Sequence, residues 1–598
     1  MDQDFSQLSR ELVAVAVGNA PADLVIRNAR WVCVQSGEII PTTDIAIKGE
    51  RIAFVGSDAS HTVQAQTEII DANDRYVSPG LLDGHMHVES QMLTITEFAR
   101  AVVVHGTTGV FIDPHEIANV FGLDGIRLMV DEAAGQPIHV WVQMPSCVPS
   151  APGFETSGAV IGPGEVAEAM TWEGIIGLGE MMNFPGVIAG DPEVHAEISI
   201  TRLAGKVIGG HYASADLGIP FHGYVAGGPE DDHESVTIQD AVQRIRQGMK
   251  AMVRFGSSEH NVDEQVRAIT ELGLDARHFI LCTDDCHAET LVEEGHVNRA
   301  IRRAIACGLS PIQAYQMATI NTAEHFGVSR DVGQIAPGRY ADLVIFEDFI
   351  DVIPEIVLAK GRIIAKTGKP CLTIADFPLP DWSRASVNIG RKLSKEDFKI
   401  QIPHDLGLRS TVQANVIGII ENQVTTRHLK MEVPVSDQQI FADVARDIAK
   451  AAVIERHRGD GSVQMGLVNG FGFKSPCAVA STVAHDCHQM VVVGTAEEDM
   501  AIAANKLAQV GGGQIVVRDQ EVIALLELPI AGLMSDEPAD IVARKAREII
   551  NGFQLCGCQI NNPNMLLSFL ALAVIPDLRL TDKGLIDVNR FDFIPLIG

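Results

Sequence analysis

Eight short apolar segments, most of them followed by an interval of helix-like patterning, constrain the fold of this chain more than any other feature of its sequence. They lie at Gly80–Val88, Gly109–Asp113, Ile138–Met144, Gly174–Glu180, Lys206–His211, Asp231–Glu234, Ala251–Phe255 and Phe279–Asp285. Apolar strands that alternate with helices are typical of parallel sheets in α/β folds. Eight of them in succession predict a (β/α)8 barrel. The alternative is an open doubly wound sheet, which would need a glycine-rich phosphate turn after its first strand.

Two stretches of alternating apolar and polar residues flank the predicted barrel, one from Asp23 to Val77 and one from Gly338 to Lys369. This period of two predicts β-strands. Because the two stretches are alike, we expect residues 1–79 and 330–378 to form one composite β-sandwich domain that the barrel, residues 80–329, interrupts. The remaining residues, 380–598, contain both strand-like and helix-like patterns, which predict a separate C-terminal α/β domain. Its helices are predicted at Ala442–Glu455, Glu497–Val510 and Ala539–Asn551.

The charge of the chain narrows the choice of partners. It has 46 Lys and Arg against 77 Asp and Glu, a formal net charge of −31. Phosphate backbones and anionic membrane surfaces would repel such a chain, so we expect neither nucleic acid nor a membrane as a partner. The first residues, M-D-Q-D-F, lack the basic region of a secretory signal, and the ten cysteines show no C-x-x-C spacing. We therefore expect a cytoplasmic protein with reduced thiols.

Side chains that bind metals stand at the ends of the predicted strands. His85 and His87 end the first strand, and side chains two positions apart on a strand point to the same face, so both can reach one ion. The other four are Glu180, His211, His233 and Asp284, after the fourth, fifth, sixth and eighth strands. Each alone is equally typical of a polar loop residue. Together, at the end of a barrel where active sites lie, they predict a site for two divalent metal ions, with Mn, Fe and Zn all compatible with these ligands.

Several motifs resemble one enzyme family. The stretch P-G-L-L-D-G-H-M-H-V-E-S, residues 79–90, resembles the amidohydrolase superfamily. The segments H-G-T-T-G-V-F-I-D-P-H-E-I-A-N-V-F-G at 105–122, L-C-T-D-D-C-H at 281–287 and M-A-T-I-N-T-A-E-H-F-G at 317–327 resemble its bacterial adenine deaminases. So do V-I-E-R-H at 453–457 and A-S-T-V-A-H-D-C-H at 480–488. The similarity extends from about residue 23 to the end of the chain.

The resemblance implies hydrolysis of adenine to hypoxanthine and ammonia at a binuclear metal centre. The matching ligands are His85 and His87 for the first ion, His211 and His233 for the second, Glu180 between the two, and Asp284 on the first ion. A hydroxide held between the ions would attack C6, and Asp284 would shuttle its proton to the leaving group. Cyclic-amide hydrolases of the same superfamily are an alternative, but they commonly have a carboxylated lysine at the fourth strand, where this chain has Glu180.

Other polar residues near these motifs have more than one interpretation. Glu234, Glu89 and Glu116 are each candidates to protonate N1 of the purine. The family segment that contains Asp113 and His115 is equally consistent with a substrate-side role, with holding a metal ligand in place, and with a structural loop. The residue after Asp284, Asp285, points to the other side of an extended chain and is at most a supporting residue.

Two further features leave the function or the site partly open. The chain has G-G-H-Y-A-S at 209–214, where D-G-H-A-P is usual in the family, so an N6-substituted adenine is an alternative substrate. In the C-terminal part, H-D-C-H at 485–488 is typical of a loop between domains, and a second hypothesis is that it reaches the mouth of the barrel. The fold also leads us to expect a homo-oligomer, a dimer.

Overall fold

The computed structural model describes residues 5–257, 259–403, 409–421 and 423–598. Residues 1–4, on which most of the signal-peptide argument rests, lie outside these ranges. The first described element is helix α1, Phe5–Ala16, whose buried Leu12 and Val15 pack against the apolar side of the first sheet. Within the described ranges, no helix has both the length and the apolar character needed to cross a bilayer.

Five strands precede the barrel region and belong to a nine-stranded sheet. They are β1 Leu24–Cys33, β2 Glu38–Lys48, β3 Arg51–Gly56, β4 Glu68–Asp71 and β5 Tyr76–Pro79. Strands β1, β2 and β3 pair antiparallel in sequence order, and β4 and β5 both run parallel to β1. Both faces of the sheet are covered at β2, so burial does not alternate there: residues 43–47 are all buried, with Ile45 and Ile47 in one core cluster and Ala46 in another.

Eight strands that pair only in parallel follow along the chain. They are β6 Leu81–Met86, β7 Thr107–Ile112, β8 His139–Met144, β9 Ile175–Met181, β10 Val207–Gly210, β11 Asp231–Asp232, β12 Lys250–Arg254 and β13 Phe279–Cys282. Strands β6 to β10 form one sheet in chain order, and β11 to β13 form another. Each strand overlaps one of the eight predicted segments, so the predicted α/β class is confirmed.

Hydrogen bonds join the two parallel sheets at both of their edges. The amide of Glu230, just before β11, donates to the carbonyl of Ile208 in β10 at 2.9 Å. At the other edge, Met86 of β6 forms a parallel bridge with Asp284, which follows β13. The carboxyl ends of the strands that carry the predicted ligands therefore lie together.

Helices fill the intervals between these strands and the stretch after them. They are α2 Ile95–Val102, α3 His115–Phe121, α4 Leu123–Ala134, α5 Pro163–Ala169, α6 Phe184–Ala189, α7 Pro192–Leu203, α8 Ile219–Gly227, α9 Ile238–Arg246, α10 Val262–Gln265, α11 Arg267–Thr270, α12 Ala288–Glu293, α13 Val297–Ala306, α14 Pro311–Met317 and α15 Ile320–His325. Local sequence explains where several begin. The Thr237 hydroxyl accepts the amide of Asp240, and the Asp240 carboxylate accepts the amide of Thr237, which is a capping box.

The chain then returns to the first sheet. Strands β14 Leu343–Phe346, β15 Ile356–Ala359, β16 Arg362–Lys366 and β17 Lys369–Pro370 are antiparallel neighbours. Strand β14 pairs antiparallel with β5, for example Val344 with Ser78. One sheet thus contains strands from both flanks of the barrel region.

The C-terminal part contains a ten-stranded sheet and a small three-stranded one. The large sheet has β18 Ile400–Gln401, β19 Thr411–Gly418, β20 Arg427–Ser436, β21 Gln439–Ile440, β22 Ile448–Ile454, β23 Val463–Asn469, β24 Cys477–Ser481, β25 Met490–Gly494, β26 Gly513–Arg518 and β27 Glu521–Glu527. The small sheet has β28 Leu578–Thr581, β29 Gly584–Asp587 and β30 Asp592–Ile594. The helices are α16 Glu497–Val510, α17 Ala539–Leu555 and α18 Pro563–Ser568.

One predicted helix of this part is wrong. The segment Ala442–Glu455 contains strand β22, which pairs with β23 and β25 in the interior of the sheet. All seven residues of β22 are buried, so the strand has no alternation of apolar and polar residues to distinguish it from a buried helix. Its single charge, Lys450, is paired with Glu497 at 2.6 Å. The helix predicted at Glu497–Val510 is confirmed, and the one predicted from Ala539 ends four residues later than expected, at Leu555.

The C-terminal part packs on the barrel region through a shared core. One buried apolar cluster contains Phe98 and Val110 from the barrel region together with Val483 and Leu533 from the C-terminal part. Polar contacts add to it, since the amide of Ser535 donates to the carbonyl of Met92 at 2.9 Å. The two parts therefore share an interior.

Candidate metal centre and active site

The six predicted metal ligands lie at the carboxyl ends of five parallel strands. His85 is in β6 and Glu180 in β9; His87, His211, His233 and Asp284 follow β6, β10, β11 and β13 within three residues. Five of the six are buried, and the His211 side chain is 14% exposed. Asp284 Oδ1 lies 3.2 Å from His87 Nε2 and 3.5 Å from His85 Nε2. The structure brings all six side chains into one site.

Glu180 lies between two groups of histidines. Its Oε1 is 3.6 Å from His87 Nε2 and 3.1 Å from His115 Nδ1. Its Oε2 is 3.0 Å from His233 Nε2 and 2.5 Å from His211 Nδ1. A carboxylate whose two oxygens face different imidazole pairs has the geometry to bridge two cations.

The donor set suits divalent metal ions. Three groups of ligand atoms each lie within 4.8 Å of one another: His85 with His87 and Glu180, His85 with His233 and Asp284, and Glu180 with His211 and His233. Imidazole and carboxylate donors suit Mn, Fe and Zn. In addition, His85 Nε2 is buried and has no hydrogen-bond partner in the described part of the chain. A buried nitrogen of this kind needs a partner, and a cation would supply it.

The electrostatics keep the carboxylates ionised. Burial alone would raise the pKa of Glu180, but His211, His115 and His233 hold it well below the ordinary value. Burial likewise opposes ionisation of Asp284, yet the nearby imidazoles of His85 and His87 and the Arg254 guanidinium keep its pKa well below the ordinary range. Both carboxylates are therefore available as ligands at neutral pH.

Polar groups behind the ligands hold them in place. The Asp113 carbonyl contacts His87 Nδ1 at 2.8 Å, and Asp113 Oδ2 accepts the amide of Glu180 at 2.8 Å. On the other side, Asp83 accepts the amide of His85 at 3.3 Å and that of Thr283 at 3.1 Å. Of the three interpretations of Asp113, holding metal ligands in place is the one that this geometry supports. Sequence reasoning missed Asp83, although it lies two residues before His85.

Gly179 makes the contact between Asp113 and Glu180 possible, because a Cβ at this position would overlap the Asp113 carboxylate. We expect Gly179→Ala to displace Asp113, to lower stability by about 1–3 kcal/mol and to lower kcat by about 10- to 100-fold through misplacement of Glu180. Thermal unfolding and steady-state kinetics measure the two effects. Gly164→Ala on α5 is the matched control, because a Cβ there meets nothing within 4 Å. Wild-type kinetics for Gly179→Ala would contradict the role given to this contact.

A buried arginine that sequence reasoning missed lies beside Asp284. Arg254 Nη1 is 2.9 Å from Asp284 Oδ2 and also contacts Glu234 Oε1. Glu234 Oε1 is in turn 3.7 Å from His233 Nε2. Burial would raise the pKa of Glu234, but Arg254 and His211 lower it. Arg254 ends the apolar strand β12, so the signal that singled out Glu180, a charge at the end of an apolar strand, could also have found it.

The remaining predicted residues lie beside the proposed ligands. Glu89 Oε1 accepts the amide of Ile117 at 3.3 Å. The Ser90 hydroxyl contacts Glu116 Oε1 at 3.2 Å and also contacts Asp285. Glu89 and Glu116 are both fully buried. The structure thus gathers these three carboxylates on one side of the metal ligands and does not single out one of them.

The segment H-D-C-H of the C-terminal part reaches Glu116 and His115. His485 Nδ1 is 3.4 Å from Glu116 Oε1, and Asp486 Oδ1 is 4.0 Å from His115 Nε2. The other histidine, His488, faces away and accepts the amide of Ala484 at 3.2 Å through Nδ1. The loop is therefore part of the interface, and it also meets the mouth of the barrel region.

Comparison with known proteins gives a consistent result for both parts of the chain. Residues 76–367 match the amidohydrolase family, and residues 423–592 match the adenine deaminase C-terminal domain. An adenine deaminase of Mesorhizobium japonicum is 55% identical, over 99% of this chain and 97% of its own length. Adenine deaminases of Ruegeria sp. and Moorella thermoacetica are 55% and 51% identical, each over 99% of this chain and 98% of their own length.

Proposed function

This chain belongs to the amidohydrolase family, in its adenine deaminase branch, and we propose that it hydrolyses adenine to hypoxanthine and ammonia. The observation that carries the proposal is the buried set of four histidines, Glu180 and Asp284 at the strand ends. The family membership favours this reaction over hydrolysis of a cyclic amide and over an N6-substituted substrate. Glu180 also favours deamination of adenine, because cyclic-amide hydrolases commonly have a carboxylated lysine at this position.

We propose that the site holds two divalent cations, Mn, Fe or Zn. His85, His87 and Asp284 would hold one ion, His211 and His233 the other, and Glu180 would contact both. When bound, such ions lower the pKa of a coordinated water molecule and so supply a nucleophilic hydroxide at neutral pH. The histidines would bind in their neutral form, so metal binding releases protons.

Side chains of the protein would carry out the proton transfers. Replacing the amino group at C6 by oxygen consumes one water molecule, whose proton must reach the departing nitrogen. Asp284 is ionised and adjoins the ligand histidines, so it can accept that proton and deliver it to the leaving group. Arg254 holds the second oxygen of Asp284, which fixes the direction of the first. Glu234, beside His233, is also ionised, so it would accept the second proton of the water and donate it to N1; one proton then leaves with ammonia and the other stays on the ring.

The same family membership supports proposals about the barrel and the domains. We propose that the two parallel sheets together make one eight-stranded (β/α)8 barrel over residues 80–329. Residues 1–79 with 330–378, and residues 380–598, would form the composite β-sandwich domain and the C-terminal domain. The homodimer stays a prediction that sedimentation at micromolar concentration would test.

The proposed reaction can be tested on the full chain. The protein is stripped with a chelator, reconstituted with Mn²⁺ and assayed for ammonia together with the loss of adenine absorbance. We expect one ammonia and one hypoxanthine per adenine, a lower kcat/KM with N6-methyladenine, and no turnover of dihydroorotate. A reconstituted protein with full metal content that releases no ammonia from adenine would refute the proposal.

A further inference from the structure

Residues 484–488 of the C-terminal part, between β24 and β25, bring His485 next to Glu116 and Asp486 next to His115. His485 and Asp486 are 6% and 3% exposed. The segment is fixed from both sides: the Gln489 side chain donates to the carbonyl of Thr156, in the barrel region, at 2.8 Å, and His457 Nε2 contacts the carbonyl of Cys487 at 2.7 Å. The segment is therefore held in position against the barrel.

Asp486 carries an acceptor that has no donor. Its Oδ1 lies 3.7 Å from His485 Nδ1 and 4.0 Å from His115 Nε2, both longer than a hydrogen bond. Its Oδ2 is buried and has no hydrogen-bond partner among the described residues. A buried carboxylate oxygen without a donor is costly to the fold and needs a donor from outside the protein.

His115 sets the distance between Asp486 and the metal ligands. One nitrogen of its ring is 3.1 Å from Glu180 Oε1 and the other is 4.0 Å from Asp486 Oδ1, so the ring and these two contacts together separate the carboxylates. A substrate whose C6 lies at the ligands would therefore have its far end near Asp486.

Adenine has two kinds of hydrogen-bond donor, the amino group on C6 and one N–H of its imidazole ring. The amino group is the leaving group and lies at the ligand end. The imidazole N–H is then the donor that remains for an acceptor at the opposite end of the base. This matches the unpaired oxygen of Asp486.

We propose that Asp486 is a specificity-determining residue that accepts a hydrogen bond from the imidazole N–H of the purine base, with His485 as a positioning residue between Asp486 and Glu116. The inference rests on the proposed function. It gives the C-terminal part a task in substrate binding: a free base supplies the donor, whereas a purine substituted at that nitrogen supplies none and places its substituent against Asp486.

The test combines two variants with methylated substrates, all on the metal-loaded full chain. Asp486→Ala removes the acceptor, and Asp486→Asn keeps the size but removes the charge. The substrates are adenine, 7-methyladenine and 9-methyladenine. The imidazole proton of adenine lies on N7 in one tautomer and on N9 in the other, so the two methylated bases block these two positions in turn. In the wild type we expect one of the methylated isomers to have a KM about 10- to 100-fold above that of adenine.

In Asp486→Ala we expect adenine to have the raised KM, with a much smaller change in kcat, and the penalty of the methyl group to shrink. Asp486→Asn should fall between Asp486→Ala and the wild type. Asp499→Asn is the control: Asp499 is a buried aspartate of α16 that accepts the amide of Gln520 at 2.8 Å, and its variant should keep the wild-type KM.

The outcomes separate the two hypotheses. If the wild type releases no ammonia from adenine, the proposed function fails. If the wild type is active and both Asp486 variants keep its KM and the full methyl penalty, only the inference about Asp486 fails. Should Asp486→Ala not fold, as judged by thermal unfolding, the isosteric Asp486→Asn alone decides through the same two readouts.

Discussion

Replacing Asp284 by Asn is expected to lower kcat by about a factor of 1,000, within the range that loss of a proton-transferring group produces. The amide has nearly the shape of the carboxylate. The variant therefore keeps the geometry of the contacts with Arg254 and the neighbouring histidines but removes the negative charge. An amide cannot accept the proton that Asp284 is proposed to move. Steady-state kinetics with adenine on the metal-loaded variant measure the effect.

Asp284 is also a proposed ligand, so the metal content must be measured together with activity. A variant that binds metal as the wild type does but turns over slowly supports the proton-transfer role. If excess Mn²⁺ restores full activity, Asp284 acts as a ligand only. The matched control is Asp263→Asn on α10, an exposed aspartate paired with Arg303, for which we expect wild-type kcat.

The sequence predicted the barrel region well because its strands have clear limits. Each strand is a short apolar run, and five of them, β6, β9, β10, β11 and β13, have His, Glu or Asp at or just after the carboxyl end. These polar residues are the proposed ligands. The information about fold and about site is therefore carried by the same positions, His85 and Glu180 among them. Parallel strands of one sheet have their carboxyl ends at the same edge, so the residues at these ends lie close together in space.

What the sequence could not predict depends on contacts between distant segments. Asp486 lies about 370 positions from His115 along the chain, and no local pattern indicates that the two meet. Strand β22 was mistaken for a helix because burial on both faces removes the periodicity on which the distinction rests. Arg254 is a different case, because a site of histidines and carboxylates predicts bound cations and gives no reason to expect an arginine. It is compatible there because Asp284 and Glu234 are both ionised beside it.

The surplus of carboxylates in the site has a physical consequence for the metal-free protein. Without cations, the histidines that face Glu180 take up protons: burial lowers the pKa of His211, but Glu234 and Glu180 raise it to about 9. For His115, the contact with Glu180 outweighs burial and raises the pKa to about 10. These imidazolium groups then take the place of the metal charge, and Glu180 is the anion that they share.

Replacing Glu180 by Gln should therefore have the second large effect, on metal binding. The variant removes the one anionic group that faces His87, His211 and His233 together, and the amide donates where the imidazoles need an acceptor. We expect metal affinity to fall by at least about 100-fold, since even changes behind a ligand cost 10- to 100-fold, and deamination to fall by roughly 1,000-fold with the loss of hydroxide formation. Metal content after dialysis and kcat with adenine measure both.

The same variant has a pH signature in the metal-free state. Histidines with a raised pKa stabilise the fold fully below their unfolded value of about 6.5, and this contribution is lost as pH rises through about 9 to 10. Glu180 creates much of that shift, so Glu180→Gln should lower the free energy of unfolding more at pH 6 than at pH 10. Glu197→Gln on α7 is the comparison: burial raises the pKa of Glu197 to about 8, so its side chain is largely neutral at pH 6 and ionised at pH 10. This variant should exceed the stability of the wild type by more at pH 10 than at pH 6. An equal loss of stability for Glu180→Gln at both pH values would contradict the assignment of Glu180 as the shared anion.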